Sequence, residues 1–279
     1  MPSVGDTSVL LWVASACIAL LGARTFLEYL RRTSHEGPLR MWRELSLGAA
    51  AIAAALWSAM VIDVGAQGLT FAVGYHPAKV FGALLLGVAA ATGVMALATW
   101  RPRWIFRLPA VLVMALVALA LQVAVIWSIG AEPGLTWRGD SLVFALLLHM
   151  LGFGFAGQMV LGARRGSRAD RPSRRLLAAL VLCACAVAAQ ELVLTSGGLD
   201  RQVVSAHAHF LPEVAITLVA GAAVPVLLVL LLVDQRTQQH SRASRRARRP
   251  RLRADGSAES VFAENAPGGG ADSQSPRAH

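Results

Sequence analysis

Gln190 and Glu191 are polar residues inside an otherwise apolar stretch, residues 176–196, which is long enough to cross a bilayer. An ionisable side chain at the centre of a membrane helix costs about 2.5–3.5 kcal/mol on insertion scales, so it marks a candidate functional site. The alternative is that Glu191 lies near the lipid boundary and reaches water. We expect the rest of the protein to be organised around this helix.

Other unusual side chains occur at similar depths in the apolar runs. The candidate ligand-binding residues are Met60, Asp63, Gln122, His149, Gln190 and Glu191. At a rise of 1.5 Å per residue, their predicted depths overlap in one half of a helix bundle. They form a site if their helix faces point inward. The alternative is that the Gln and His residues only join helices through hydrogen bonds, worth about 0.6 kcal/mol on average.

Imidazole and thioether groups define a candidate metal site. Imidazole binds copper, zinc and iron, and thioether binds Cu(I). The candidate metal ligands are Met60, His76, His149, Met150, His207 and His209. The first four suit Cu(I), and the last two form an i, i+2 pair in a predicted loop. Copper or another transition metal is therefore the candidate cofactor, against the alternative that the loop histidines are solvated.

The composition places the protein in a membrane. Of its 279 residues, 56% are hydrophobic and 15% are charged, with a mean hydropathy of +0.56. A soluble domain carries about 25% charged residues. The net charge of +10 comes from arginines between apolar runs and near the C-terminus. Membrane topology and anionic lipid explain these arginines, and no nucleic-acid partner is expected.

Seven apolar runs predict an all-α, polytopic fold, because each has the roughly 20 residues that a membrane helix needs. The predicted helices are residues 8–30, 45–64, 78–99, 108–130, 141–161, 176–196 and 213–233. Residues 1–233 form the membrane domain. Residues 234–279 are a basic tail, predicted to be disordered and cytoplasmic, in which residues 242–253 attract anionic lipid.

Arginine distribution predicts the orientation. The loops after the first, third and fifth helices carry 13 arginines, and those after the second, fourth and sixth carry two. By the positive-inside rule, the N-terminus is outside and the C-terminus cytoplasmic. We expect a multi-pass protein of the inner (cytoplasmic) membrane.

Two segments share a spacing that predicts internal helix-pair repeats. Met60 and Tyr75 are 15 residues apart, as are Gln122 and Trp137. Each pair begins near the end of one apolar run and ends in the loop before the next. Repeats of this kind are typical of pseudo-symmetric bundles.

Residues 8–233 resemble the MHYT family of seven-helix bacterial sensory domains. The similarity includes LWVASACIALLGARTFLEYLRR in the first helix, Trp57-Ser58 in the second and Tyr75-His76-Pro77 after it, which resembles the family's Tyr-Asp-Pro. The family signature, Met-His-Tyr-Thr, recurs near the outer ends of helices two, four and six. The aligned segments here begin at Ala59, Leu121 and Ala189, and all three motif histidines are missing.

The resemblance implies a sensory or regulatory module that binds a metal or small ligand in the outer half of the bundle and signals to a cytoplasmic or membrane partner. One alternative is a transporter or metal-handling protein with Asp63, Gln190 and Glu191 along a polar path. Another is a structural or assembly subunit without a ligand. No phosphate-binding loop, nucleophile–base pair or zinc-protease helix is present in the sequence, so no enzymatic activity is expected.

Overall fold

The computed structural model describes residues 4–32, 38–67, 69, 72–100, 104–132, 135–162, 172–197, 204–207 and 210–237. Six long helices within these ranges are α1 (Val4–Arg32), α2 (Pro38–Ala66), α3 (Pro77–Trp100), α4 (Trp104–Trp127), α5 (Gly139–Gly162) and α6 (Pro172–Ser196). A seventh span, Glu213–Thr237, begins as α7 (Glu213–Leu218) and passes through a π-helical turn, Val219–Ala223.

All seven helices are long and apolar enough to cross a membrane, which confirms the predicted all-α, seven-span fold. Leu85 and Leu86 of α3 are more than 70% exposed, as residues that face lipid would be. Six helices begin earlier than predicted, and two of them, α2 and α6, do so by several residues at a proline, Pro38 and Pro172. Proline is favoured at the first helical position because that position needs no amide hydrogen. The protein is therefore a multi-pass membrane protein whose helices extend beyond their most apolar residues.

The helix at the centre of the bundle is α2, so the expectation that α6 organises the protein is wrong. In its most apolar window, 83% of the α2 residues are buried, against 44% for α6. The sequence of α2 explains this position, because AAAIAAALW presents small side chains on every face. Small residues let neighbouring backbones approach closely in membranes.

Close helix contacts depend on glycine at two positions. A Cβ atom on Gly22 of α1 would lie 2.1 Å from the Cβ of Ala55 in α2. A Cβ on Gly152 of α5 would lie 2.9 Å from the Cβ of Cys185 in α6. Neither site can accept a side chain without moving a helix. These contacts fix the α1–α2 and α5–α6 pairs.

Two small antiparallel sheets lie at the end of the bundle where α2, α4 and α6 end, hereafter the sheet end. The strands are β1 (Gly74–Tyr75), β2 (Ala131–Glu132), β3 (Val204–Ser205) and β4 (Leu211–Pro212), paired β1–β4 and β2–β3. Ser205 joins the sheets, because its hydroxyl donates to the Ile129 carbonyl at 2.8 Å and accepts from the Gly74 amide at 3.3 Å. Such short strands carry no periodicity, and the sequence did not predict them.

The chain divides into two compact units, Met1–Leu231 and Leu232–His279. The first contains the bundle and the sheet end. Within the bundle, the Ser58 hydroxyl of α2 donates a hydrogen bond to the Ala220 carbonyl of the π-helical turn at 2.6 Å. In the second, the described residues are helical up to Thr237. The predicted lipid-binding cluster, residues 242–253, lies outside the described residues.

Candidate functional site

Asp63 and Gln190 form a buried pair between α2 and α6. The Gln190 amide Nε2 donates a hydrogen bond to Oδ2 of Asp63, and both side chains are fully buried. The hydroxyl of Ser15, on α1, lies beside the Asp63 carboxyl group and donates its single hydrogen to the Ala59 carbonyl at 3.2 Å. Three helices therefore meet at one polar point.

Gln122 and His149 form a second buried pair, between α4 and α5. His149 Nε2 lies 3.0 Å from Gln122 Oε1, and both side chains are fully buried. Because the amide oxygen can only accept, Nε2 carries the hydrogen and donates. In a neutral imidazole, the other nitrogen, Nδ1, is then an acceptor.

Each pair leaves hydrogen-bonding capacity unused. The buried polar atoms without a partner among the described residues include Asp63 Oδ1, Gln190 Oε1, Gln122 Nε2 and His149 Nδ1. A buried polar atom without a partner costs about 1–3 kcal/mol. Three of these four atoms are acceptors and one is a donor. They suit a small cation or a molecule with N–H donors.

Helix geometry places both pairs on the same side of the bundle's midpoint. Just after α6, a Cβ atom on Gly197 would lie 3.7 Å from the side chain of Ile126 in α4. Gln122 lies one turn before Ile126 on the same face of α4. Gln190 lies seven residues before Gly197, so the two glutamines differ in depth by about 5 Å. His149 lies one turn from Gly152, on the face of α5 that packs against α6. We call Asp63, Gln122, His149 and Gln190 the polar layer.

Glu191 lies beside this layer. Its carboxylate accepts a hydrogen bond at 3.1 Å from the indole Nε1 of Trp12 on α1, and it is partly exposed. It is close enough to Asp63 for their charges to interact. Consecutive residues on a helix differ by about 100° in direction, which turns Gln190 inward and Glu191 towards the α1 surface.

The predicted metal ligands fall in three places. Met60 is fully buried in α2, and His149 belongs to the polar layer. Met150, the next residue, lines a separate cavity in the other half of the bundle. The structure therefore does not bring the predicted Cu(I) set together, and among the described residues no three His, Cys, Asp or Glu side chains cluster as a metal site.

His76 and His207 meet at the sheet end. Their ring centroids are 5.2 Å apart, and each ring lies 5.5 Å from that of Phe210. Gly130 supports this cluster: its φ of +63° favours glycine, and a Cβ there would lie 2.7 Å from His207. Nδ1 of each histidine is buried and has no partner among the described residues. His209, the other predicted loop ligand, lies outside the described residues.

Tyr75 carries a buried hydroxyl that sequence reasoning did not select. Its side chain is fully buried below the sheets, and its hydroxyl has no partner in the described part of the chain. Burial raises the pKa of Tyr75, and the nearby charge of Glu213 raises it further. The phenol is therefore neutral and can donate a hydrogen bond. Ser15 and Trp12, the α1 partners of the polar residues, were also missed, because neither type is unusual in an apolar helix.

No protein-family model, curated protein or solved structure matches the chain. The geometry of the two buried pairs is therefore the main basis for a functional proposal.

Proposed function

We propose that the protein is a membrane sensory or regulatory module that binds a small cation or N–H donor in the polar layer. The observation that carries the proposal is the set of four buried polar atoms that have no partner among the described residues, on two pairs that bridge four helices. Asp63, Gln190 and His149 offer acceptors, and Gln122 offers a donor. Carboxylate, amide oxygen and neutral imidazole are also common metal ligands, so a metal ion belongs to this class.

A ligand in this layer would act on the arrangement of the helices. The Asp63–Gln190 pair joins α2 to α6, and the Gln122–His149 pair joins α4 to α5. Binding changes the balance between two bundle states only if the ligand contacts them differently. A ligand shared by both pairs would favour the state in which they are close. The signal would pass to a cytoplasmic or membrane partner.

The orientation in this proposal rests on charge. The loops opposite the sheet end carry most of the inter-helix arginines, so the sheet end faces outwards and the C-terminus lies in the cytoplasm. The protein would then lie in the inner membrane and bind its ligand from the outer side. The resemblance to the MHYT family supports the same orientation and a sensory role.

The test is whether the polar layer binds a defined cation. Protein purified in detergent would be analysed for metals and titrated with Zn²⁺, Cu(I) and ammonium while its thermal unfolding is followed. A ligand at 100 times its Kd stabilises the folded state by about 2.7 kcal/mol. We expect bound metal, or stabilisation by one of these cations, that is lost in His149→Leu.

Met150→Leu is the matched control, because Met150 is the next residue and lines a different cavity. It should retain the response of the wild type. If wild type contains no metal and none of the three cations stabilises it, the sensory proposal loses its mechanism. A structural subunit without a ligand would then be the better interpretation.

A further inference from the structure

A cavity of about 400 Å³ lies between α1, α3, α4 and α5. Its position is away from the sheet end, because Leu30 lies near the end of α1, Leu108 near the start of α4 and Gln158 near the end of α5. Pockets of 300–1,000 Å³ between helices of a bundle, mostly apolar with few polar groups, are typical ligand sites.

Among the described residues that line the cavity, one side-chain amide is polar and the others are apolar. Met95, Met114 and Met150 contribute flexible thioethers, and Gly154 and Gly157 leave space along α5. Methionine adapts its shape to irregular partners. Gln158 provides the amide, four residues from the end of α5 and therefore close to the head-group region. This arrangement fits a molecule with an apolar body and a polar group at one end.

The two aromatic rings in the wall favour a flexible chain over a flat ring. Phe26 and Phe153 are in edge-to-face contact, with ring centroids 6.1 Å apart and planes at 83°. They do not form the parallel slot that would stack a planar ring system. An acyl chain needs only continuous apolar contact, which the methionines and small residues provide.

We propose that the cavity binds one acyl chain of a membrane phospholipid, with Gln158 donating a hydrogen bond to its ester or head-group region. Inside a bilayer, apolar association depends on van der Waals packing, and a void forfeits those contacts. Phospholipid chains are present at high concentration around these helices. This site is separate from the polar layer and does not depend on the sensory proposal.

The test is photocrosslinking with a phosphatidylcholine that carries a diazirine in its acyl chain, in vesicles of phosphatidylethanolamine and phosphatidylglycerol. In the wild-type protein we expect labels concentrated on the cavity residues Met114 and Met150, above the lipid-facing Leu85 and Leu147. Equal labelling of all four positions would overturn the proposal. This measurement requires no variant.

Gly157→Leu tests occupancy directly. A Cβ atom on Gly157 would have no atom of the described residues within 4 Å, so a leucine side chain can extend into the cavity. We expect labelling of Met114 and Met150 to fall about tenfold, equivalent to about 1.4 kcal/mol. Gly82→Leu is the matched control, because a Cβ on Gly82 would likewise have no described atom within 4 Å, but this helical residue lies outside the cavity wall. It should label as wild type does.

Two results would overturn the proposal that an acyl chain occupies the cavity. Unchanged cavity labelling in Gly157→Leu, with thermal unfolding as in Gly82→Leu, would overturn it. Mass spectrometry of lipids released from wild-type protein should find phospholipid. A quinone in its place would show that the occupant was wrongly identified. Cation binding at the polar layer should be unaffected by Gly157→Leu, so failure of either proposal can be recognised independently.

Discussion

The polar layer and the acyl-chain cavity lie in the same helix bundle but are packed in opposite ways. The polar layer has fully buried side chains and four polar atoms without described partners. The cavity has unfilled volume, and its described lining residues are apolar apart from Gln158. The first region has unused hydrogen-bonding capacity, and the second has unused space.

Phe153 connects the two regions. Its ring stacks on that of His149 at 6.3 Å between centroids and also forms part of the cavity wall. A chain that fills the cavity would therefore contact a ring that packs on the polar layer. One helix, α5, therefore presents a hydrogen-bonding site and an apolar site within little more than two turns.

The largest expected effect comes from removing this connection. Phe153→Ala should lower the free energy of unfolding by about 3 kcal/mol, because truncating a buried phenylalanine costs about 3–5 kcal/mol and this one borders existing space. Unfolding in mixed detergent micelles would measure it. Phe144→Ala is the control on the same helix, since Phe144 is 60% exposed and lipid can replace its contacts. Equal losses would show that Phe153 has no special packing role.

The next effect distinguishes two glutamines. Gln190→Leu should destabilise the protein by about 1–3 kcal/mol, because it removes the amide donor to the buried Asp63 carboxyl group. Gln158→Leu should change the free energy of unfolding by less than about 0.5 kcal/mol, because Gln158 is exposed. The same unfolding assay applies to both.

A double variant tests the reason given for the Gln190 effect. Adding Asp63→Leu to Gln190→Leu removes the carboxyl group that the single variant strands. Part of the lost stability should return. If the stability losses of the single variants Asp63→Leu and Gln190→Leu simply add in the double variant, the hydrogen bond contributes nothing to stability, and the Asp63–Gln190 pair is not a coupled unit.

His149 and Met150 are consecutive residues that belong to different regions. His149→Leu should cost about 1 kcal/mol, because interhelical hydrogen bonds in membranes average about 0.6 and reach about 1.7 kcal/mol. Met150→Leu nearly conserves volume and should cost less. Free energies of unfolding, measured without added cations, would check this. A larger loss in Met150→Leu would show that the cavity wall is packed more tightly than its volume indicates.

Hydropathy predicted the seven helices because a membrane helix must be apolar over its whole length. The same property hides how each helix is rotated. Gln190 and Glu191 are neighbours in sequence, but Gln190 is in the polar layer and Glu191 bonds to Trp12 at the surface of α1. Similarly, nothing in an alanine-rich run distinguishes the central helix α2 from one that faces lipid.

The pairing of the candidate residues was only partly predictable. Their depths followed from the helical rise, and two pairs form among the six candidates: Asp63 with Gln190, and Gln122 with His149. The cavity could not be predicted, because it results from small residues on several helices that are distant in sequence. Gly154 and Gly157 create space only where the neighbouring helices do not fill it.

The smallest effect tests the difference in packing with a single methyl group. Gly152 and Gly157 both lie within α5. Replacing either by alanine lowers the backbone entropy of the unfolded chain equally and favours the helix by about 0.5–1 kcal/mol. A Cβ at Gly157 would meet no atom within 4 Å in the described part of the chain, so Gly157→Ala should be neutral or stabilising. A Cβ at Gly152 would lie 2.9 Å from Cys185 and 3.5 Å from the Leu182 backbone, so α5 and α6 must separate. Gly152→Ala should therefore destabilise the protein in the same unfolding assay. Because the two substitutions share their chemistry and helix, an equal change in both would mean that the space at Gly157 has no energetic consequence.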